Sequence, residues 1–71
     1  MKAKYYQEDD LLVLRLSQKP FKVAEKLGSF IVHYDVKKNP VLVEILNASK
    51  FLKISSEALQ KSVAQSIFST A

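Results

Sequence analysis

The chain has no cysteine and no tryptophan, one glycine, one histidine and two prolines among its 71 residues. Each scarcity excludes something. Without cysteine there can be neither a disulfide nor a thiolate zinc centre, and one histidine cannot build a histidine-rich metal cluster. No apolar run approaches the ~20 residues that a helix needs to span a bilayer. The basic start, Lys2 and Lys4, meets Glu8-Asp9-Asp10 before a hydrophobic signal region can form, so a cytoplasmic protein is expected. Neither a Gly-rich phosphate cradle nor a nucleophile with an evident base occurs, so no catalytic residue, cofactor or metal is expected.

What remains is the composition of a small folded domain. The hydrophobic share is 48%, too high for a disordered chain, and the whole of 1–71 reads as one domain. A core of this size supplies only ~3–5 kcal/mol, so tight packing or self-association has to make up the difference. The net charge is +4, from eleven basic and seven acidic residues, and Arg15 is the only basic residue that is not lysine. Lysine serves solubility and edge protection, whereas phosphate forks and base contacts favour arginine. The basic excess is therefore only a slight pointer to nucleic acid.

The alternation of apolar and polar residues predicts an α+β chain: an antiparallel β-meander of four to five strands, then one C-terminal amphipathic helix packed on one face. Lys2–Tyr6 alternates lysine with Ala3 and Tyr5, as a protected edge does. Residues 11–17 form the second strand, 22–27 the third, 30–36 the fourth and 41–46 the fifth. Glu25 falls in the apolar register of the third strand, where a bulge is expected to turn it outward. Gly28-Ser29 suits a two-residue type II′ hairpin, and Asn39 suits a left-handed position in the turn Lys37-Lys38-Asn39-Pro40. With a four-residue loop there, Val36 faces Val41, Val32 faces Ile45, Tyr34 faces Val43 and His33 faces Glu44. A helical turn is expected within 47–53. Ser55 is placed to cap a helix over 55–70, with Glu57 in its first turn and Ile54 stapled to Leu59. Leu59, Val63 and Ile67, flanked by Ala64 and Phe68, form its apolar stripe.

One helix can cover only one face of such a sheet. Leu12, Leu14, Leu16, Val32, Tyr34, Val43 and Ile45 are its expected partners. The other face carries Leu11, Val13, Ile31 and Leu42 around Arg15, His33 and Glu44. An apolar patch of that kind marks an interaction surface, and a homodimer or a complex with a small partner protein is expected through it.

Several stretches resemble a known family. Tyr5-Tyr6-Gln7-Glu8-Asp9-Asp10-Leu11-Leu12-Val13-Leu14-Arg15-Leu16-Ser17, Val32-His33-Tyr34-Asp35 and Val43-Glu44-Ile45-Leu46-Asn47-Ala48-Ser49-Lys50 are similar, in order and spacing, to the prokaryotic family called domain of unknown function 2283. The similarity covers about residues 2–52, the sheet region, and the helix lies beyond it. The chain departs from the family pattern at His33, where an acidic residue is usual, and at Lys38-Asn39-Pro40, where glycine is common. The resemblance implies a fold more than a task. Some relatives resemble partners of small toxin-type proteins, which implies, by analogy alone, an antitoxin-like accessory role.

Three functions follow as expectations. The first is a non-enzymatic protein–protein interaction module. The second is a nucleic-acid-binding accessory using Lys2, Lys4, Lys37, Lys38, Lys50 and Lys53, with at most Tyr6 free to stack on a base. The third is an enzyme using His33 and Glu44 for acid–base chemistry, for which a cross-strand charge pair is the simpler account. Glu8-Asp9-Asp10 lacks the spacing of a calcium loop and reads as a solvated turn.

Overall fold

The computed structural model describes residues 1–64. Five strands form one antiparallel sheet: β1 (Lys2–Tyr6), β2 (Leu11–Arg15), β3 (Val23–Leu27), β4 (Phe30–Tyr34) and β5 (Pro40–Ile45). Two short helices follow, α1 (Ala48–Leu52) and α2 (Ser56–Ala64). The arrangement is α+β, as the alternation followed by a helical stripe predicts. Helix α1 falls within 47–53, where a helical turn is expected, and α2 begins the helix expected from 55. Residues 65–70 of the expected helix, with Ile67 and Phe68, lie outside the described residues. Among the described residues no helix is long and apolar enough to cross a membrane.

The strand order is β1-β2-β5-β4-β3, which departs from a simple meander. β2 pairs with β5, and residues 16–22 carry the chain to the far edge. That link is tied down as it passes the strand ends. The Leu16 and Ser17 N–H groups donate to the Val41 carbonyl at 2.8 and 3.2 Å, and Lys22 N–H donates to the Tyr34 carbonyl at 2.8 Å. Pro20 sits in this link, outside every ladder, where its missing N–H costs nothing. Leu16, expected under the helix, belongs to the link and is exposed.

Local chemistry explains the turns. Gly28 has φ +60° in a two-residue loop with Leu27 opposite Phe30, and Ser29 is not among the positive-φ residues; this fits the type II′ hairpin expected there. In the β4–β5 turn the left-handed residue is Lys38, with φ 67°, and not Asn39. Asp35 dictates that turn. Its Oδ1 accepts the N–H groups of Lys37 and Asn39, both at 2.9 Å. This Asx-type closure shortens the ladder and introduces a bulge between His33 and Tyr34. The pairing is therefore offset by two residues from the expected one: Phe30 faces Ile45, Val32 faces Val43 and His33 faces Leu42. A two-residue offset leaves every side chain on its expected face.

The core lies between the sheet and α2. Tyr5, Leu12, Ile45, Ala48, Leu59 and Val63 are buried together, with Ala3, Leu14, Phe30, Val43 and Ile54 packed around them. Ser55 Oγ accepts the Ala58 N–H at 3.2 Å, the expected cap of α2. Helix α2 lies against β1 and the short 3-10 turn Gln7–Asp9, so it shields the β1 side of the sheet. Phe51 of α1 reaches Phe30, ring centroids 4.9 Å apart and edge to face. Beyond that, β3 is uncovered, and all five of its residues are exposed. This accounts for Glu25. The β3–β4 register runs unbroken from Val23 to Leu27, so no bulge turns Glu25 outward. It stays on the helix side with Val23 and Leu27 and is wetted because no helix among the described residues reaches it.

Candidate interaction face

The register decides which side chains share the open face, because residues directly opposite in an antiparallel pair point the same way. Lys2 pairs with Arg15, Lys4 with Val13 and Tyr6 with Leu11. Val13 and Arg15 then face Glu44 and Leu42 on β5. On the far side Ile31 faces Glu44 and His33 faces Leu42, with Lys26 and Ala24 beyond them on β3. The seven expected residues, Leu11, Val13, Arg15, Ile31, His33, Leu42 and Glu44, thus lie on one face, opposite the helices.

Their exposures grade from the middle outward. Leu42, at the centre, is 8% exposed, while Leu11, Val13 and Ile31 are half-buried among their neighbours. Tyr6, at 42%, stands at the β1 edge with Lys4 Nζ 5.0 Å from its ring. The residue that sequence reasoning missed is Phe21. From the β2–β3 link its ring lies 4.6 Å from that of His33 and 5.9 Å from the Arg15 guanidinium carbon. An aromatic directly after Pro20, in an otherwise largely polar link, was the available signal.

The polar members are engaged within the chain. His33 Nε2 and Glu44 Oε1 are 2.7 Å apart, a diagonal cross-strand contact and not the direct opposition expected. A carboxylate only accepts, so Nε2 donates in this pair. The pair is half-buried, with side chains 16% and 27% exposed. Arg15 does not join it; its Nη1 donates to the Ser17 carbonyl at 3.1 Å. Among the described residues no group of three His, Cys, Asp or Glu could hold a metal ion.

A second cluster, on the helix side, holds the fold together. Asp10 adopts φ 50°, which aspartate tolerates in the left-handed region. Its carboxylate accepts the Tyr5 hydroxyl, the Ser49 N–H at 2.9 Å and the Ser49 hydroxyl at 2.7 Å, while its carbonyl accepts the Ala48 N–H at 2.9 Å. Asp10 thereby caps α1 from 39 residues away in sequence. Glu8 and Asp9 are exposed as expected for a solvated turn, but Asp10 is not part of that turn's solvated surface. The Tyr5 hydrogen bond, then the Ser49 bonds, hold the Asp10 carboxyl below its ordinary range against the opposing effect of burial. Burial, with Asp10 beside it, pushes the Tyr5 phenol up to about 12. Asp35 is likewise held down, first by the Asn39 N–H and then by the Lys37 N–H.

A single antiparallel sheet, stapled to short C-terminal helices by one aspartate, defines a small α+β protein. The chain belongs to the family described as proteins of unknown function, DUF2283, whose family model matches residues 2–49. No curated protein and no solved structure matches the chain. The matched stretch contains all five strands and ends at Ser49, so both partners of the Asp10–Ser49 staple fall within it.

Proposed function

We propose that the protein is a non-enzymatic interaction module that associates with a second copy of itself or with a partner protein through the open face of its sheet. One observation carries this reading: Leu11, Val13 and Ile31, half-buried around Leu42, share the face that no helix among the described residues covers, while Arg15, His33 and Glu44 are spent on contacts within the chain. Five strands spaced about 4.8 Å, each about 16 Å long, present roughly 400 Å². That is the area of the whole face, its charged residues included, and about half of one side of a standard interface. The association is accordingly weak, in the micromolar range or above. With no cysteine to protect, the cytoplasm is its proposed compartment.

Charge substitution at the centre of the face tests this. Val13→Asp and Ile31→Asp abolish concentration-dependent association by light scattering, whereas Val36→Asp, at a position 71% exposed in the β4–β5 turn, leaves it intact. Equal behaviour of all three variants contradicts the proposal. A second reading, a nucleic-acid accessory, draws on Lys2, Lys4 and the exposed Tyr6 along the same face. Salt separates the two, because phosphate binding falls steeply with ionic strength.

A further inference from the structure

The free edge of the sheet at β3 offers a different surface from the open face. Leu27 and Phe30 flank a two-residue loop, which makes them a hydrogen-bonded pair. The Leu46 N–H to Ser29 carbonyl bond, 2.8 Å, continues the same alternation on the other side of β4. The main-chain groups of Val23, Glu25 and Leu27 therefore point toward β4, and those of Ala24 and Lys26 point out of the sheet. Natural edges are usually blunted by charge, bulges or a covering element, and of these β3 carries only charge, at Glu25 and Lys26, among the described residues. Here all five residues are exposed, Val23 and Leu27 by 59% and 53%. Beside them a groove of about 700 Å³ is lined by Lys22, Val23, Glu25, Tyr34, Val36 and Lys38.

We infer that β3 accepts an extended, acidic segment of a partner protein as a sixth strand. Its main chain pairs with Ala24 and Lys26, and its alternate apolar side chains rest on Val23 and Leu27 and in the groove. Charge selects the occupant. Residues 19–38 carry five lysines against Glu25 and Asp35, and Asp35 is buried in its own turn contacts. A second copy added antiparallel at this edge would bring Glu25 or lysines against like charges, whereas glutamates in the added strand would face Lys26, within the positive field that Lys22 and Lys38 add at the groove.

The probe is a capped peptide of alternating glutamate and valine, with an alternating lysine and valine peptide as its counterpart. The glutamate peptide is expected to bind at least about tenfold tighter, because the lysine peptide meets like charge. Adding it to the intact protein slows hydrogen exchange at the Ala24 and Lys26 amides. Ala24→Pro removes only an outward N–H, which an edge strand tolerates, and weakens peptide binding by about tenfold or more. Lys22→Glu with Lys38→Glu reverses the peptide preference. Absence of binding, equal binding of both peptides, or exchange protection elsewhere but not at Ala24 and Lys26 would overturn the inference. Val13→Asp leaves peptide binding unchanged, so failure at the edge is distinct from failure of the open face.

Discussion

Replacing Asp10 with alanine removes, in one step, the acceptor for the Tyr5 hydroxyl and for both Ser49 donors. A buried donor left unpaired costs more than the hydrogen bond it made. Asp10→Ala should therefore lower the thermal midpoint by on the order of 10 °C, while Asp9→Ala, one residue away and exposed, leaves it nearly unchanged. Circular dichroism melts of the two variants check this. The pH dependence follows from the same groups. Asp10 and Asp35 titrate below their ordinary value of 3.8, so their contribution is whole above that pH and drains away as pH falls through the folded-state values. Tyr5 acts in the opposite direction. With its pKa raised from 10.0 to about 12, its contribution is whole below pH 10.0 and lost as pH rises toward 12. Melts against pH should show both limbs, the acid limb shallower in Asp10→Ala and the alkaline limb shallower in Tyr5→Phe. None of this was legible in the acidic run Glu8-Asp9-Asp10 taken alone. The partner of Asp10 lies far along the chain, and the two ends of the contact meet only once β1, β2 and β5 are paired. The resemblance to the family did include both Asp10 and Ser49, and the fold supplies a structural reason for the two positions.

At the scale of single elements, the β3–β4 turn and the α2 cap were readable because their chemistry is local, whereas the β4–β5 turn, with Lys38 and not Asn39 left-handed, was not. Gly28 and Ser55 occupy the positions expected of them, since a positive φ and an orphan helix N–H each demand particular residues. A Cβ added at Gly28 meets nothing within 4 Å, so Gly28→Ala tests the backbone alone. It should cost about 1 kcal/mol in urea unfolding, the strain of alanine at positive φ. Register and strand order were not readable in the same way. The period of a strand is two, so an offset of two residues between β4 and β5 preserves both faces, and alternation cannot detect it. The Asp35 turn, with its bulge, decided the matter. For the same reason His33 and Glu44 meet although His33 faces Leu42: diagonal neighbours lie within reach of long side chains. The jump from β2 to β3 depends on a link that passes two strand ends, and nothing in residues 16–22 by themselves specifies it. Glu25 was misplaced for that reason. An edge strand beyond the helix needs no bulge to keep a carboxylate wet.

The described residues span 36 × 28 × 17 Å, a slab little thicker than a sheet with one partial layer on it. That shape leaves Leu11, Val13 and Ile31 half-buried around the buried Leu42, with no described helix over them and Phe21 at one end, and sets lysines around them, Lys2 and Lys4 on one side and Lys26 on the other. An apolar centre with a basic rim has a definite consequence for self-association. Two such faces brought together repel at the rim, so added salt strengthens their contact, whereas a partner with an acidic rim would be released by it. The most direct test is sedimentation equilibrium of the intact protein over about 5 to 500 µM, at low and at high salt, a range that brackets the weak association of a small interface. A mass that climbs from 8.0 kDa toward twice that value, more readily at high salt and not at all in Val13→Asp, is the predicted result. A protein that stays at 8.0 kDa across the whole range at both salt concentrations would contradict association through the open face with a second copy.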